Sequence, residues 1–187
     1  MFGFGKQRSR EIWEDFEAEA LPHLPDLYRI ARWMVRNTGE AEDLVQETLI
    51  QALRSFHRYE KGTNCKAWMT KIMYNLNGKR IARLGRLKLV EDKEEMIAET
   101  AAFEPSIPQN LTDEDVIAAV KRLPDSFRTV VLLADVEDLA YREIAEVLSI
   151  PAGTVMSRLH RGRKQLRVEL AGYARDYGIR NIRDAGV

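Results

Sequence analysis

A chain of 187 residues in which 45% of side chains are apolar is long enough for one or two domains of about 100 residues and too apolar to be wholly disordered. No apolar run approaches the roughly 18 to 20 residues of a membrane span, and Met1-Phe-Gly-Phe-Gly-Lys lacks a signal peptide's core, so a cytoplasmic protein without membrane insertion is expected. The formal net charge of zero hides a division: residues 1–90 carry 16 basic and 11 acidic side chains, 91–115 carry 1 and 9, and 116–187 carry 12 and 9, so two basic blocks flank an acidic tether.

Residues 11–22 mix Ile12, Trp13 and Phe16 with acids and predict a first helix, which Pro22 and Pro25 interrupt. From Asp26 the set Leu27, Ile30, Ala31, Met34 and Val35 recurs at helical spacing, and Asn37-Thr-Gly39 is expected to close this second helix as a C-terminal cap. A third helix, Glu40 to about Phe56, buries Ala41, Leu44, Val45, Leu49, Ala52, Leu53 and Phe56. Its other face shows Glu40, Glu42, Asp43, Gln46 and Glu47, which on the residues alone is ordinary solvation.

The polar stretch Tyr59 to Asn64 is a loop with a helix start at Thr63 or Asn64. The helix from Cys65 to about Arg83 stacks Trp68, Ile72 and Leu76 on one side and finishes with Lys79, Arg80 and Arg83. Aromatics and amides interleaved with base suit unpaired nucleic acid, because rings stack on bases and cations follow the backbone. Trp68 taken alone reads better as a core residue. Cys65 is the single cysteine, which excludes an internal disulfide and a zinc site of paired cysteines, and His23, His57 and His160 are scattered. No metal or cofactor is expected, and the thiol reads as structural.

Periodicity is lost over 85–111, where an acid run and Pro105 and Pro108 mark a linker. Thr112-Asp-Glu-Asp115 reads as a cap with first-turn acids and opens a helix through Val116, Ile117 and Val120 to Leu123. Pro124 starts another, carrying Phe127, Val130, Val131 and Leu133. The domains expected are 1–88, a linker at 89–111, a second domain at 112–173 and a frayed tail at 174–187. The class is all-α: two small helical domains joined by a flexible acidic linker.

The stretch from Tyr141 to Arg167 is two short helices joined by a tight turn. Ile144, Ala145 and Leu148 recur at helical spacing in the first, and Ala145 is small enough for a second helix to cross close over it. Pro151 marks the start of the next helix. On a wheel of about 100° per residue Leu159, Gly162 and Leu166 fall within about 40° of Val155, a narrow buried stripe. Met156, Ser157, His160, Arg161 and Lys164 then face outward. A helix held by one apolar seam and carrying Arg158, Arg161, Arg163, Lys164 and Arg167 has what a major-groove reader needs, since Arg and Lys grip phosphates and Ser, His and Arg reach base edges.

The run E-I-A-x-x-L-x-I-P-x-G-T-V-x-S-R-L-x-R-x-R resembles the promoter-binding helix-turn-helix of sigma-70 family factors, and the short extracytoplasmic function group fits best. The resemblance spans about 24–170 in the family's order. It implies an RNA polymerase sigma factor that directs promoter-specific initiation, in a stress or envelope response, under control of an anti-sigma factor. Gly39-Glu-Ala-Glu-Asp-Leu-Val-Gln-Glu-Thr-Leu49 is similar to the family's polymerase-binding helix, which makes Asp43, Leu44, Gln46 and Glu47 the expected contacts with core RNA polymerase. W-x-x-x-I-x-x-N, Trp68 to Asn75, matches the segment that opens the downstream promoter element. Asn75 leads there, Trp68 belongs to the set, and Lys71, Lys79, Arg80 and Arg83 support the DNA strand. The upstream element falls to Thr154, Met156, Ser157, Arg158, His160, Arg161, Arg163 and Lys164. Many relatives place a basic side chain at position 156, where Met156 can touch a thymine methyl but cannot donate to guanine.

A stand-alone regulator with the same helix-turn-helix would explain the second domain but gives no task to the acidic helix or to the Asn75 helix. An enzyme acting on nucleic acid would need grouped carboxylates or a poised His or Cys, and Asp43 and Glu47 are joined by no further acids.

Overall fold

The computed structural model describes residues 3–35, 37–85 and 112–176; the linker expected at 89–111 and the tail from 177 lie outside the described residues. All regular structure among the described residues is helical, and the chain divides into two compact units. The first holds α1 (Gly3–Ala20), a 3-10 turn at Leu21–His23, α2 (Leu24–Met34), α3 (Thr38–Ser55), a second 3-10 turn at Phe56–Arg58 and α4 (Cys65–Gly85). The second holds α5 (Asp113–Arg122), α6 (Asp125–Val131), a π-helical turn at Leu132–Val136, the first part of α7 (Tyr141–Leu148) and α8 (Ala152–Asp176), while Glu146–Ser149 are grouped with the first.

Both N-terminal prolines sit in the first turn of the helices they open, where the missing N–H has no partner to lose. The expected C-terminal cap at Asn37 is corrected. Val35 leaves α2 in an extended conformation, and Asn37 Oδ1 accepts from the Glu40 N–H at 2.8 Å, so Asn37 begins α3 and Gly39 lies inside it. Asparagine serves either end of a helix, and only the backbone around it decides which. Asn64 likewise opens α4, accepting from Ala67 N–H at 3.1 Å.

In the first unit α3 packs on α2 and α4, and α4 also meets α1. Leu27, Leu44, Met69 and Met73 are fully buried, each contributing about 1.5–3 kcal/mol by leaving water. The deepest seam of α4 is Cys65, Met69 and Met73, one residue round from the expected stripe of Trp68, Ile72 and Leu76, which pack half-buried beside it. Phe16 meets Phe56 edge-on at 5.4 Å, Phe56 stacks on Tyr59 at 5.5 Å, and Tyr59 meets Trp68 at 5.1 Å. Thr48, a polar residue absent from the predicted core, is buried because its hydroxyl donates to the Leu44 carbonyl at 2.7 Å.

The second unit opens on the expected capping box: Thr112 N–H donates to Asp115 Oδ2 at 2.9 Å, and Asp115 N–H returns to Thr112 Oγ1 at 3.3 Å. The Thr112 N–H and the Thr112 hydroxyl, which donates to the same Oδ2 at 2.7 Å, hold Asp115 below the usual carboxylate range. Along α5 the buried residues are Ala119, Val120 and Leu123, whereas Val116 and Ile117 stay largely exposed on the turns nearer its start. α8 packs on α6 and α5. It crosses α6 at Gly162, where an added Cβ would stand 2.8 Å from Val131 Cγ2 and 3.3 Å from Phe127 Cβ.

Candidate nucleic-acid and partner interfaces

α7 closes with Ser149 in the left-handed region (φ 55°) and Ile150 N–H reaching back to the Ala145 carbonyl at 3.0 Å, the six-to-one bond of a Schellman ending. Glycine usually fills that place, so Ser149 carries strain. Pro151 then caps α8, its carbonyl accepting from Thr154 and Val155 at 2.9 and 3.2 Å. Val155, Leu159 and Gly162 are buried as the wheel requires, with Leu166 half-buried.

Met156, Ser157, His160 and Arg161 are exposed on α8, and Thr154, Arg158 and Lys164 are half-buried. Arg163 is engaged within the chain. Its Nε donates to Asp135 Oδ2 at 3.1 Å and its Nη2 to Asp135 Oδ1, a two-pronged grip that holds the guanidinium charged above its ordinary range, with Tyr141 adding to the effect. The wheel carried a trace of this, because Arg163 sits only about 80° from the seam while Arg161 sits about 120° away. Asp135 itself, 28 residues earlier, gave no sequence signal.

On α3, Glu40, Glu42, Asp43, Gln46 and Glu47 all face solvent, which assembles the acidic surface expected there. Leu44, grouped with these contacts, is corrected: it is 0% exposed and belongs to the core, so it supports the surface from beneath without touching a partner. On α4, Asn75, Lys79 and Arg83 are exposed and Lys71 is half-buried. Trp68 packs in the aromatic cluster with one part of its ring surface accessible.

An ion pair links the acidic face of α3 to the basic side of α4. Arg80 meets Glu47 through Nη2 to Oε1 at 2.9 Å and Nε to Oε2 at 3.2 Å, so α3 and α4, antiparallel across the loop at 59–64, place an acid of one beside a base of the other. The pair is partly exposed and contributes at most about 1 kcal/mol. Both groups are nonetheless neutralised in the free chain.

Cys65 is buried, and burial, then the charge of Glu19, pushes its thiol up to about 11. A thiol held protonated is a poor nucleophile, in keeping with a structural role. Among the described residues no group of His, Cys, Asp and Glu could hold a metal ion, and no helix is long and apolar enough to cross a membrane.

The sigma-70 region 2 family model matches residues 21–87, and the sigma-70 region 4 model matches 113–166. The chain is 37% identical over 173 residues to the ECF RNA polymerase sigma factor SigE of Mycolicibacterium smegmatis, covering 91% of this chain and 66% of that protein. It is 31% identical over 168 residues to the ECF RNA polymerase sigma factor EcfG of Rhodopseudomonas palustris, covering 89% and 92%. Among solved structures it is similar to the sigma factor RpoE of Bartonella quintana in complex with the anti-sigma factor NepR, with a TM-score of 0.66, 30% identity, and coverage of 84% of this chain and 97% of that one.

Proposed function

The chain belongs to the extracytoplasmic function group of the sigma-70 family, and from that membership we propose that it is a dissociable subunit giving core RNA polymerase its promoter specificity. It is an initiation factor without catalysis of its own, acting on DNA in the cytoplasm. The first unit, 1–88, docks on polymerase through Asp43, Gln46 and Glu47 of α3. Through Asn75, Lys71, Lys79, Arg80 and Arg83 of α4, with Trp68 at the edge of the core, it opens the downstream element. The second unit, 112–173, reads the upstream element with His160 and Arg161, while Arg158 and Lys164 hold phosphates and Thr154, Met156 and Ser157 complete the surface. The acidic stretch 89–111 tethers the two.

The observation that carries the reading is the exposed acidic face of α3 in the same chain as two basic helices. A stand-alone DNA-binding regulator has no use for it. RpoE of Bartonella quintana was solved with an anti-sigma factor, and this chain is held inactive in the same way, by an anti-sigma protein released in a stress or envelope response.

The test is transcription from a promoter mapped by the start sites gained on overexpression, using purified core enzyme, beside a gel shift of the protein alone. Promoter-specific transcripts that appear only with the protein, and weak duplex binding without polymerase, are expected. Tight sequence-specific duplex binding without polymerase, unaffected by charge reversal on α3, would favour the stand-alone regulator.

A further inference from the structure

Arg163 belongs to the basic set of α8, yet its surroundings differ from those of Arg161. The seam that seats α8 is narrow, built on Val155, Leu159 and Gly162, and at Gly162 the helix touches α6 through backbone and Phe127 and Val131 side chains. A glycine crossing permits close approach but offers no side chain to resist rolling of α8 about its own axis. An attachment away from the seam is what resists such a roll.

Two ties meet that need: Glu169 with Arg122 of α5 at 3.3 Å toward the far end of α8, and Arg163, one residue beyond the crossing and beside the outward face. Two of the Arg163 bonds reach Asp135, with Tyr141 adding a third interaction, and Asp135 is itself held in place. It lies in the π-helical turn Leu132–Val136, which is tied by Glu137 N–H to the Leu132 carbonyl at 3.0 Å and followed by Leu139 N–H to the Leu133 carbonyl at 3.0 Å. A planar guanidinium bonded to both carboxylate oxygens fixes orientation as well as distance, which a lysine cannot do. A phosphate would have to compete with Asp135 for that guanidinium.

We propose that Arg163 is a positioning residue, which with Asp135 sets the roll of α8 and thereby which base edges His160 and Arg161 meet. This rests on the reading of α8 as the upstream-element reader. Loss of either partner should lower sequence discrimination rather than affinity in general.

The experiment uses the full chain with core polymerase on two templates, a promoter it transcribes and the same promoter with the upstream element scrambled. The readout is the ratio of open-complex formation on the two. Arg163→Ala and Asp135→Asn are each expected to reduce that ratio about threefold to tenfold, with the double variant no worse than either alone. The exchange of Asp135→Arg with Arg163→Asp should recover part of the ratio, and Arg163→Lys should recover little. The inference is overturned if Asp135→Asn strengthens binding to both templates while Arg163→Ala weakens both alike and lowers the salt slope by about one, the behaviour of a phosphate contact held back by an acid. A wild-type protein that drives no transcription with core enzyme overturns the functional reading and this inference together, whereas transcription with an unchanged ratio in both single variants overturns this inference alone.

Discussion

α4 and α8 are the two basic helices to which the proposed function gives DNA, and they are held in opposite ways. α4 is clasped along one side by a broad core of Cys65, Met69 and Met73, flanked by Trp68, Ile72 and Leu76. The direction of Asn75 and Lys79 is therefore set by large apolar side chains packed around the helix. α8 rides on a seam of small and branched residues with a glycine at the crossing, and its outward face depends on a few local devices: the strained Ser149, the Gly162 contact and the Arg163–Asp135 grip. Each helix also gives one arginine to a carboxylate of its own unit, Arg80 to Glu47 and Arg163 to Asp135. A basic helix read as a uniform DNA surface thus contains cations already gripped by a carboxylate of their own unit, Arg163 among them although it is exposed.

The comparison is tested most severely in the first unit. Asp43→Lys with Glu47→Lys should abolish transcription with core enzyme. Helix content by circular dichroism should be unchanged and the loss of stability no more than about 1 kcal/mol, because both positions are exposed and the one ion pair broken is a surface one. Full activity in this variant would reduce the face of α3 to solvation. On α8, Arg161→Ala should shift promoter preference and cost on the order of 1–3 kcal/mol, while Lys164→Ala weakens all promoters alike. Equal losses for Arg161→Ala on matched and scrambled upstream elements would refute its base-reading role.

Two of the glycines within these helices should respond with opposite signs. Gly162→Val should lower stability by about 1–3 kcal/mol by forcing side chains apart at the α6 crossing. Gly78→Ala on α4, with nothing within 4 Å of its added Cβ, should raise it by about 0.5–1 kcal/mol. Thermal melting of each variant decides the matter, and a stabilising Gly162→Val would mean the crossing is not close. Ser149→Gly should raise stability by about 0.5–1 kcal/mol by removing the left-handed strain, and an unchanged or lowered midpoint in the same assay would count against it.

The smallest effect at neutral pH belongs to Cys65. With its folded value raised to about 11 from 9.0, the buried neutral thiol contributes stability in full below the unfolded value, and loses it as pH rises from 9.0 toward 11. Melting of the wild type should therefore fall over that window more than melting of Cys65→Ala, and native alkylation at pH 7 should be slow. An oxidant response abolished by Cys65→Ser in intact cells would overturn the structural role.

Much of this was legible beforehand because its causes are local. α7 spans Tyr141–Leu148, the stretch read as the first helix of the pair, since apolar spacing and a turn signal lie within its own residues. The Thr112 capping box and the acid face of α3 follow for the same reason. Asn37 was misread because a cap residue is ambiguous without its backbone angles, and α4's seam was one residue off because Trp68, Ile72 and Leu76 and the Met69–Met73 seam lie on adjacent strips of one helix.

The sequence by itself determined the helices, their polar and apolar faces, the division into basic and acidic segments and the family, all of which depend on residues within a few turns of one another. Tertiary structure alone decided which distant charged side chains meet. Arg80 finds Glu47 across 33 residues, Arg163 finds Asp135 across 28, and Leu44 sinks from a partner-facing list into the core. Such pairings depend on how helices pack, and helical periodicity places a side chain on a face without saying what stands opposite it.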